Sequence, residues 1–258
     1  MSLFRRTGRK LLMPYLTGYV TEDWTDHLRA FADAGADAIE VGLPFSDPTI
    51  DGATVQEANE AALARGATAS AILADLARLA ADLPPLVIST YANLALRLSP
   101  AELAAAAGLI VPDLPLDEID QIDGIDLALL VAPSTPDGRL AEICRRSRGF
   151  VYAVSVMGTT GERTELAATA TALVERIRPA TTLPVLVGFG ISTPGHAAEA
   201  ARCADGVIVG AAVLRRVLDG AAPSEVGAYL AKMRLALDEV GTLTKGDGGR
   251  DEVPGHRR

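Results

Sequence analysis

Residues Val185–Leu218 read VLVGFGISTPGHAAEAARCADGVIVGAAVLRRVL, with two short apolar runs that each precede a longer stretch of helical composition. The apolar runs, Val185–Gly188 and Val207–Gly210, are continuous rather than alternating, which is typical of parallel strands buried on both faces. Thr193 directly before Pro194 is a helix N-cap signal. This segment therefore predicts a strand–helix–strand–helix unit.

The same alternation of short apolar runs and longer amphipathic stretches continues along nearly the whole chain. The predicted strands are Leu11–Leu16, Ala38–Gly42, Leu86–Thr90, Leu109–Val111, Leu127–Val131, Phe150–Val154, Val185–Gly188 and Val207–Gly210. The predicted helices are Thr25–Ala34, Ala69–Leu83, Pro100–Ala107 (capped by Ser99), Arg139–Ser147, Leu166–Arg178, Pro194–Ala201, Ala211–Leu218 and Ser224–Leu237. Eight strand–helix units in 258 residues favour an α/β fold built as a single closed (β/α)8 TIM barrel over a doubly wound open sheet.

Composition and charge narrow the domain organisation and the class of partner. No composition break marks a second domain, so residues 1–243 are predicted to form the barrel and the Gly- and charge-rich residues 244–258 a disordered tail. The net charge of −9 gives little support to a nucleic-acid partner. The apolar run Leu11–Met13 is too short for a signal segment, and no later run could span a bilayer, which predicts a soluble cytoplasmic protein. Cys144 and Cys203 are expected to be free thiols.

Glycines end the last two predicted strands, at Gly188-Phe189-Gly190 and at Gly210. Gly210 leads directly into the helical stretch Ala211–Leu218, whose first N–H groups and positive dipole end suit an anion. Barrels often bind phosphate between the loops after strands seven and eight. Each glycine alone is more simply explained by a tight turn, but the pair favours a phosphate site.

Glu40 is the first candidate for chemistry. Alternation along its strand places it opposite Ile39 and Val41, which should face the outer helices, so Glu40 should point into the barrel near its upper rim. A buried carboxylate costs free energy unless it is paired, hydrated or functional. Because no other predicted strand contains an Arg or Lys, a functional role is favoured over a structural ion pair.

The loop Pro44–Gly52 follows this strand and brings Asp51 towards the mouth of the barrel, which makes Asp51 a second candidate by position alone. None of the three lysines lies at the upper end of a predicted strand, which disfavours a Schiff-base mechanism. The three histidines do not cluster, which disfavours a histidine-bound metal. The residues thus favour acid–base chemistry by carboxylates, with Tyr15, Tyr91 and Tyr152 as helpers or as packing residues.

A long run at residues 34–48, AGADAIEVGLPFSDP, followed by Asp51-Gly52 and Gln56, closely resembles the signature of the tryptophan synthase alpha subunit family. Further similar pieces follow in family order: YAN at 91–93, PDLP at 112–115, GTTG at 158–161 and GFGIS at 188–192. The resemblance implies a carbon–carbon lyase of tryptophan biosynthesis that cleaves indole-3-glycerol phosphate into indole and glyceraldehyde 3-phosphate. It assigns Glu40 as the acid–base residue and Asp51 as the partner of the indole N–H.

The same resemblance implies a set of substrate-binding residues, a lid and a partner. The implied substrate-binding residues are Tyr15, Ile110, Tyr152, Thr160, Gly161, Phe189, Gly190, Gly210, Ala211 and Ala212. The loop Ser155–Glu165 resembles the family's closing lid, from which Thr160 would reach Asp51. The chain itself would need no cofactor, and its partner would be a beta subunit that uses pyridoxal phosphate, in an alpha2beta2 heterotetramer.

Three departures from the family pattern are visible. Ala211 stands where the family usually has Ser, which predicts weaker phosphate binding. The segment Thr17–Thr21 lacks the usual Gly-Asp-Pro. Ser89-Thr90 is more polar than the family norm, which predicts a more polar pocket wall. Two other hypotheses stay open beside the alpha subunit. One is a stand-alone indole-3-glycerol-phosphate lyase, and the other is a non-catalytic barrel that binds a phosphate ligand and activates its partner, which only the altered turn at Ala211 supports. A different phosphate-binding barrel enzyme, such as an isomerase, ranks last because it would not share the Glu40-to-Asp51 stretch.

Overall fold

Eight parallel strands form the centre of the molecule. The computed structural model describes Phe4 and residues 8–154, 163–188 and 190–246, with the backbone alone at 163–168 and 243–246. The strands are β1 (Leu11–Thr17), β2 (Ile39–Gly42), β3 (Leu86–Ser89), β4 (Ala106–Ile110), β5 (Leu129–Val131), β6 (Val151–Val154), β7 (Val185–Gly188) and β8 (Gly206–Val209). They pair in the order β4-β3-β2-β1-β8-β7-β6-β5, and a parallel bridge between Leu109 and Leu127 joins the two outer strands. The predicted (β/α)8 barrel is confirmed, and the open sheet is excluded.

The helices surround the strands. In the described part of the chain they are α1 (Trp24–Asp33), α2 (Ala53–Ala64), α3 (Ala69–Leu79), α4 (Ala92–Ala95), α5 (Asp137–Arg146), α6 (Arg163–Ile177), α7 (Pro194–Cys203), α8 (Ala211–Leu218) and α9 (Pro223–Gly246), with 3-10 turns at Leu116–Gln121 and Arg178–Ala180. The predicted cap of α7 is confirmed, because the Thr193 hydroxyl accepts a 3.1 Å hydrogen bond from the backbone N–H of His196. The two cysteines, Cys144 and Cys203, are free thiols as predicted.

Side chains of the strands alternate between two apolar layers. Ile39 and Val41 belong to the outer layer, where strands pack against helices. The inner layer fills the barrel with side chains that include Met13, Ala38, Val87, Ile110, Phe150, Leu186 and Ile208. Because both faces of these strands are buried away from water, apolar residues occupy both faces. The strands therefore lack the alternation of polar and apolar residues that is typical of half-exposed sheets.

The predicted helix Pro100–Ala107 is wrong. Its capping signal is real, since the Ser99 N–H donates to Glu102 at 2.9 Å and Glu102 N–H donates to the Ser99 hydroxyl at 3.3 Å. The chain nevertheless makes turns here, and β4 begins at Ala106. Too few residues lie between the cap and the strand to offset the cost of nucleating a helix.

Helices α2 and α9 also differ from the sequence-based expectation. Helix α2 was not among the predicted helices, because its Ala-rich sequence ATVQEANEAALA carries few large apolar side chains to mark a buried face. Helix α9 continues to Gly246, so the predicted start of the tail at Thr244 falls within its last turn. The prediction for residues 247–258 lies outside the described residues.

Candidate active site

A cavity of about 750 Å³ opens at the carboxyl ends of the strands. It is mainly apolar and has a few polar side chains in its wall, as is common for a small-molecule site. Six of the predicted site residues line it together: Tyr15, Glu40, Asp51, Ile110, Tyr152 and Gly190. The position matches the catalytic face of β/α barrels, where loops after the strands meet.

Glu40 projects from β2 into this cavity, on the side of the strand that alternation predicts. The residue is 4% exposed, and its Oε2 has no hydrogen-bond partner within the described part of the chain. Burial raises the pKa of the Glu40 carboxyl from 4.5 to about 7, although a hydrogen bond from Ser89 on β3 lowers it and the charge of Asp51 raises it further. At neutral pH the group can therefore exist in both protonation states, which suits an acid–base residue.

Asp51 is held in place by the aromatic pair Phe45 and Tyr91. The Tyr91 hydroxyl donates to Asp51 Oδ2 at 3.0 Å and accepts from the Ile50 N–H at 3.3 Å. The Tyr91 ring stacks on Phe45 with the ring centroids 4.8 Å apart. Burial raises the pKa of Asp51, and the hydrogen bond from Tyr91 opposes this effect. The loop that sequence reasoning placed over the mouth thus fixes a carboxylate in the same cavity as Glu40.

Two tyrosines fill the cavity wall because the neighbouring strands end in glycine. A Cβ at Gly42 would overlap the hydroxyl of Tyr15, and a Cβ at Gly188 would overlap the ring of Tyr152. The Tyr15 hydroxyl lies 3.1 Å from Thr17 Oγ1. Burial raises the pKa of both tyrosines, so their hydroxyls stay protonated at neutral pH. Gly188 is therefore required by the room it leaves for Tyr152, and an approach of this glycine to phosphate stays a prediction.

The predicted phosphate end is described in part. Gly190 lines the cavity and has a φ of +77°, a conformation that favours glycine. Gly210 precedes α8 and lies beside Tyr15, and the N–H groups of Ala211 and Ala212 belong to the first turn of the helix, where they lack intrahelical acceptors. Gly210, Ala211 and Ala212 are not among the residues that line the cavity.

Three predicted substrate contacts, Thr160, Gly161 and Phe189, lie outside the described residues, as do residues 155–162 of the predicted lid. Conversely, the structure adds Asn59 to the cavity wall, and it confirms the expectation that Ser89 and Thr90 contribute polar groups to that wall. The polarity of Ser89-Thr90 was visible in the sequence. Asn59 was missed because α2, which carries it, was not predicted.

Neither a metal cluster nor a membrane span is found in the described ranges 8–154, 163–188 and 190–246. No three His, Cys, Asp or Glu side chains there could hold an ion together. His27 is buried on α1, and His196 contacts the Ser192 hydroxyl on the surface at 3.2 Å. No helix in these ranges is both long and apolar enough to cross a bilayer.

Comparison with known proteins points to one family. A family model described as "Tryptophan synthase alpha chain" matches residues 1–239. The tryptophan synthase alpha chain of Chloroflexus aggregans is 43% identical over 256 residues, which cover 92% of this chain and 96% of that protein. The alpha chain of Gloeobacter violaceus is 48% identical over 220 residues, covering 80% and 79% respectively. Among solved structures, tryptophan synthase of Mycobacterium tuberculosis in space group F222 aligns with a TM-score of 0.80 at 36% identity, over 90% of this chain and 93% of that one.

Proposed function

We propose that Glu40 and Asp51 carry the reaction of this chain, which belongs to the tryptophan synthase alpha chain family and is a lyase acting on indole-3-glycerol phosphate. The observation that supports this most directly is the state of Glu40. It is a buried carboxyl with one oxygen that has no hydrogen-bond partner in the described part of the chain, a pKa of about 7 and a second carboxyl in the same cavity. Keeping such a group is costly for folding, which supports a role in chemistry.

The proposed mechanism begins with neutral Glu40, which delivers its proton to C3 of the indole ring. The ring nitrogen becomes cationic, and ionised Asp51 stabilises the charge through the N–H. The carboxylate of Glu40 then takes the proton of the hydroxyl on the carbon attached to C3. As that hydroxyl becomes an aldehyde, the carbon–carbon bond breaks and its electrons flow into the cationic ring, which releases indole and glyceraldehyde 3-phosphate. Glu40 ends protonated, so the cycle is balanced.

Binding is proposed to divide between the cavity and the phosphate end beside it, where Gly190 lines the cavity but Gly210, Ala211 and Ala212 do not. Tyr15, Tyr152 and Ile110 offer apolar surface to the indole and glycerol parts. The phosphate is assigned to the backbone N–H groups of the predicted set Gly161, Gly190, Gly210, Ala211 and Ala212. Thr160 and Phe189 complete the set of proposed substrate contacts. Because Ala211 lacks the hydroxyl that the family usually has there, we expect backbone N–H groups to donate most of the hydrogen bonds to the phosphate.

No cofactor is proposed for this chain, because the indole ring can itself accept the electrons of the broken bond. Family membership implies a beta-subunit partner, and we propose an alpha2beta2 complex in the cytoplasm whose pyridoxal phosphate belongs to the partner. Exposed Ile50 and Leu96 follow β2 and β3 on the side where the cavity opens. Exposed apolar side chains beside a cleft support docking at this face.

The test is cleavage of indole-3-glycerol phosphate by the wild-type chain and by Glu40→Gln, with and without a beta subunit. Gln occupies similar volume but cannot relay a proton, so we expect a loss of at least about a hundredfold. Glu60→Gln, which removes an exposed carboxyl from α2, is the matched control and should keep wild-type activity. Full activity of Glu40→Gln would refute the assignment. Turnover that is indifferent to a beta subunit, without complex formation, would favour the stand-alone lyase.

A further inference from the structure

Asn59 is a buried polar residue in the cavity wall that the mechanism above does not use. It lies on α2, is 3% exposed and lines the same cavity as Glu40 and Asp51. A side-chain amide carries two donor hydrogens and an acceptor oxygen. Burial of these groups is costly unless they find partners.

No partner for the Asn59 side chain is found in residues 8–154, 163–188 and 190–246. The neighbouring Gln56 shows the contrast, because its amide donates to the carbonyl oxygen of Asp51 at 2.7 Å and so braces the loop. Asn59 makes no equivalent contact with the loop, and it lines the cavity with a small part of its surface still accessible. Its hydrogen-bonding groups are therefore available to a molecule that occupies the cavity.

The position of Asn59 along α2 indicates which part of a ligand it meets. Gly52, Val55 and Asn59 all line the cavity, which is the spacing of one helix face. At a rise of about 1.5 Å per residue, Asn59 lies on the order of 10 Å along the helix from the Asp51 end. Because Asp51 is proposed to hold the indole N–H, Asn59 should lie nearer the glycerol phosphate end.

Packing of α2 against α8 supports the same assignment. Glu57, on the face of α2 away from Asn59, forms a 2.6 Å ion pair with Arg215 in the last turn of α8, which makes the two helices neighbours. The first turn of α8 contains Ala211 and Ala212, the proposed phosphate donors. Helix α2 therefore runs alongside the helix whose start is assigned to the phosphate.

We propose that Asn59 is a further substrate-binding residue, whose side-chain amide donates a hydrogen bond to an oxygen of the glycerol phosphate part of the substrate. The inference rests on the proposed orientation of the substrate between Asp51 and α8. An amide suits this place because it donates without adding a charge that would have to be buried in the empty enzyme.

The experiment measures KM and kcat for indole-3-glycerol phosphate with Asn59→Ala and Asn59→Asp, together with inhibition constants for glycerol 3-phosphate and for indole. A hydrogen bond to a charged group corresponds to about tenfold to a hundredfold in affinity, so we expect Asn59→Ala to raise KM and the glycerol 3-phosphate constant by about tenfold. Asn59→Asp should raise both further through charge repulsion. The indole constant should not change, and Glu60→Gln should behave as wild type.

Unchanged constants for glycerol 3-phosphate in both variants, or an equal loss for indole, would overturn the inference. Asn59→Ser keeps a small neutral donor and guards against a folding defect, because it should fall between wild type and Asn59→Ala. If the wild-type chain cleaves its substrate and the Asn59 substitutions leave KM and the inhibition constants unchanged, this inference alone is refuted. A Glu40→Gln variant with full activity would instead refute the proposed mechanism.

Discussion

Replacing Glu40 by Gln should abolish turnover and, at the same time, change how stability depends on pH. The carboxyl is buried in the barrel, and its Oε2 finds no partner in the described part of the chain. Burial therefore raises the pKa of Glu40 from 4.5, its ordinary value, to about 7. A folded protein that holds a proton more tightly than the unfolded chain loses stability as pH rises.

The size of the effect follows from this shift in pKa. Below about pH 4.5 both states are protonated, and the carboxyl imposes no pH-dependent cost. Between this pH and about 7 the unfolded chain releases the proton that the folded chain keeps, so wild-type stability falls. One pKa unit corresponds to about 1.4 kcal/mol, which puts the full loss at about 3 kcal/mol once the pH exceeds 7. The Gln variant has no such titration.

The assay is urea unfolding of the wild type and Glu40→Gln at about pH 4 and about pH 8, with Glu60→Gln as the exposed control. The free energy of unfolding of Glu40→Gln relative to wild type should rise by about 3 kcal/mol from the acid to the alkaline condition. Titrations of all other groups largely cancel in this difference. A difference that stays constant with pH would show that Glu40 does not titrate with a raised pKa, and the electrostatic reasoning would fail.

Two further substitutions test the supports of the site. Ser89→Ala removes a hydrogen-bond donor to the ionised form of Glu40, so the pKa of Glu40 should rise. The alkaline limb of the pH profile of kcat/KM should then move to higher pH by about one unit. An alkaline limb at the wild-type pH would contradict this prediction. Gly42→Ala places a Cβ against the hydroxyl of Tyr15, and we expect this overpacking to lower the free energy of unfolding by about 1–3 kcal/mol, with wild-type stability as the contrary outcome.

Periodicity was sufficient for the barrel and for the direction of Glu40. Strand alternation is a local property, so Ile39 and Val41 could be placed outside and Glu40 inside without knowing what surrounds them. It failed at residues 100–107, where a genuine capping motif led into turns because β4 begins at Ala106. Periodicity also did not predict helix α2, because its buried face consists mainly of alanine, which contributes little to a hydrophobic pattern. Asn59, the residue that α2 brings to the cavity, was missed for that reason.

Local patterns were enough to predict the class of fold, the inward carboxylate and, through the run at residues 34–48, the family to which similar proteins then assigned the chain. These features depend on the order of residues along one strand or loop. Tertiary structure alone decided the pKa of Glu40, the anchoring of Asp51 by Tyr91 and the glycine at position 42 that makes room for Tyr15. Each of these depends on groups from different strands and loops brought within a few ångströms, and burial and contact across such separations are not written in any local pattern.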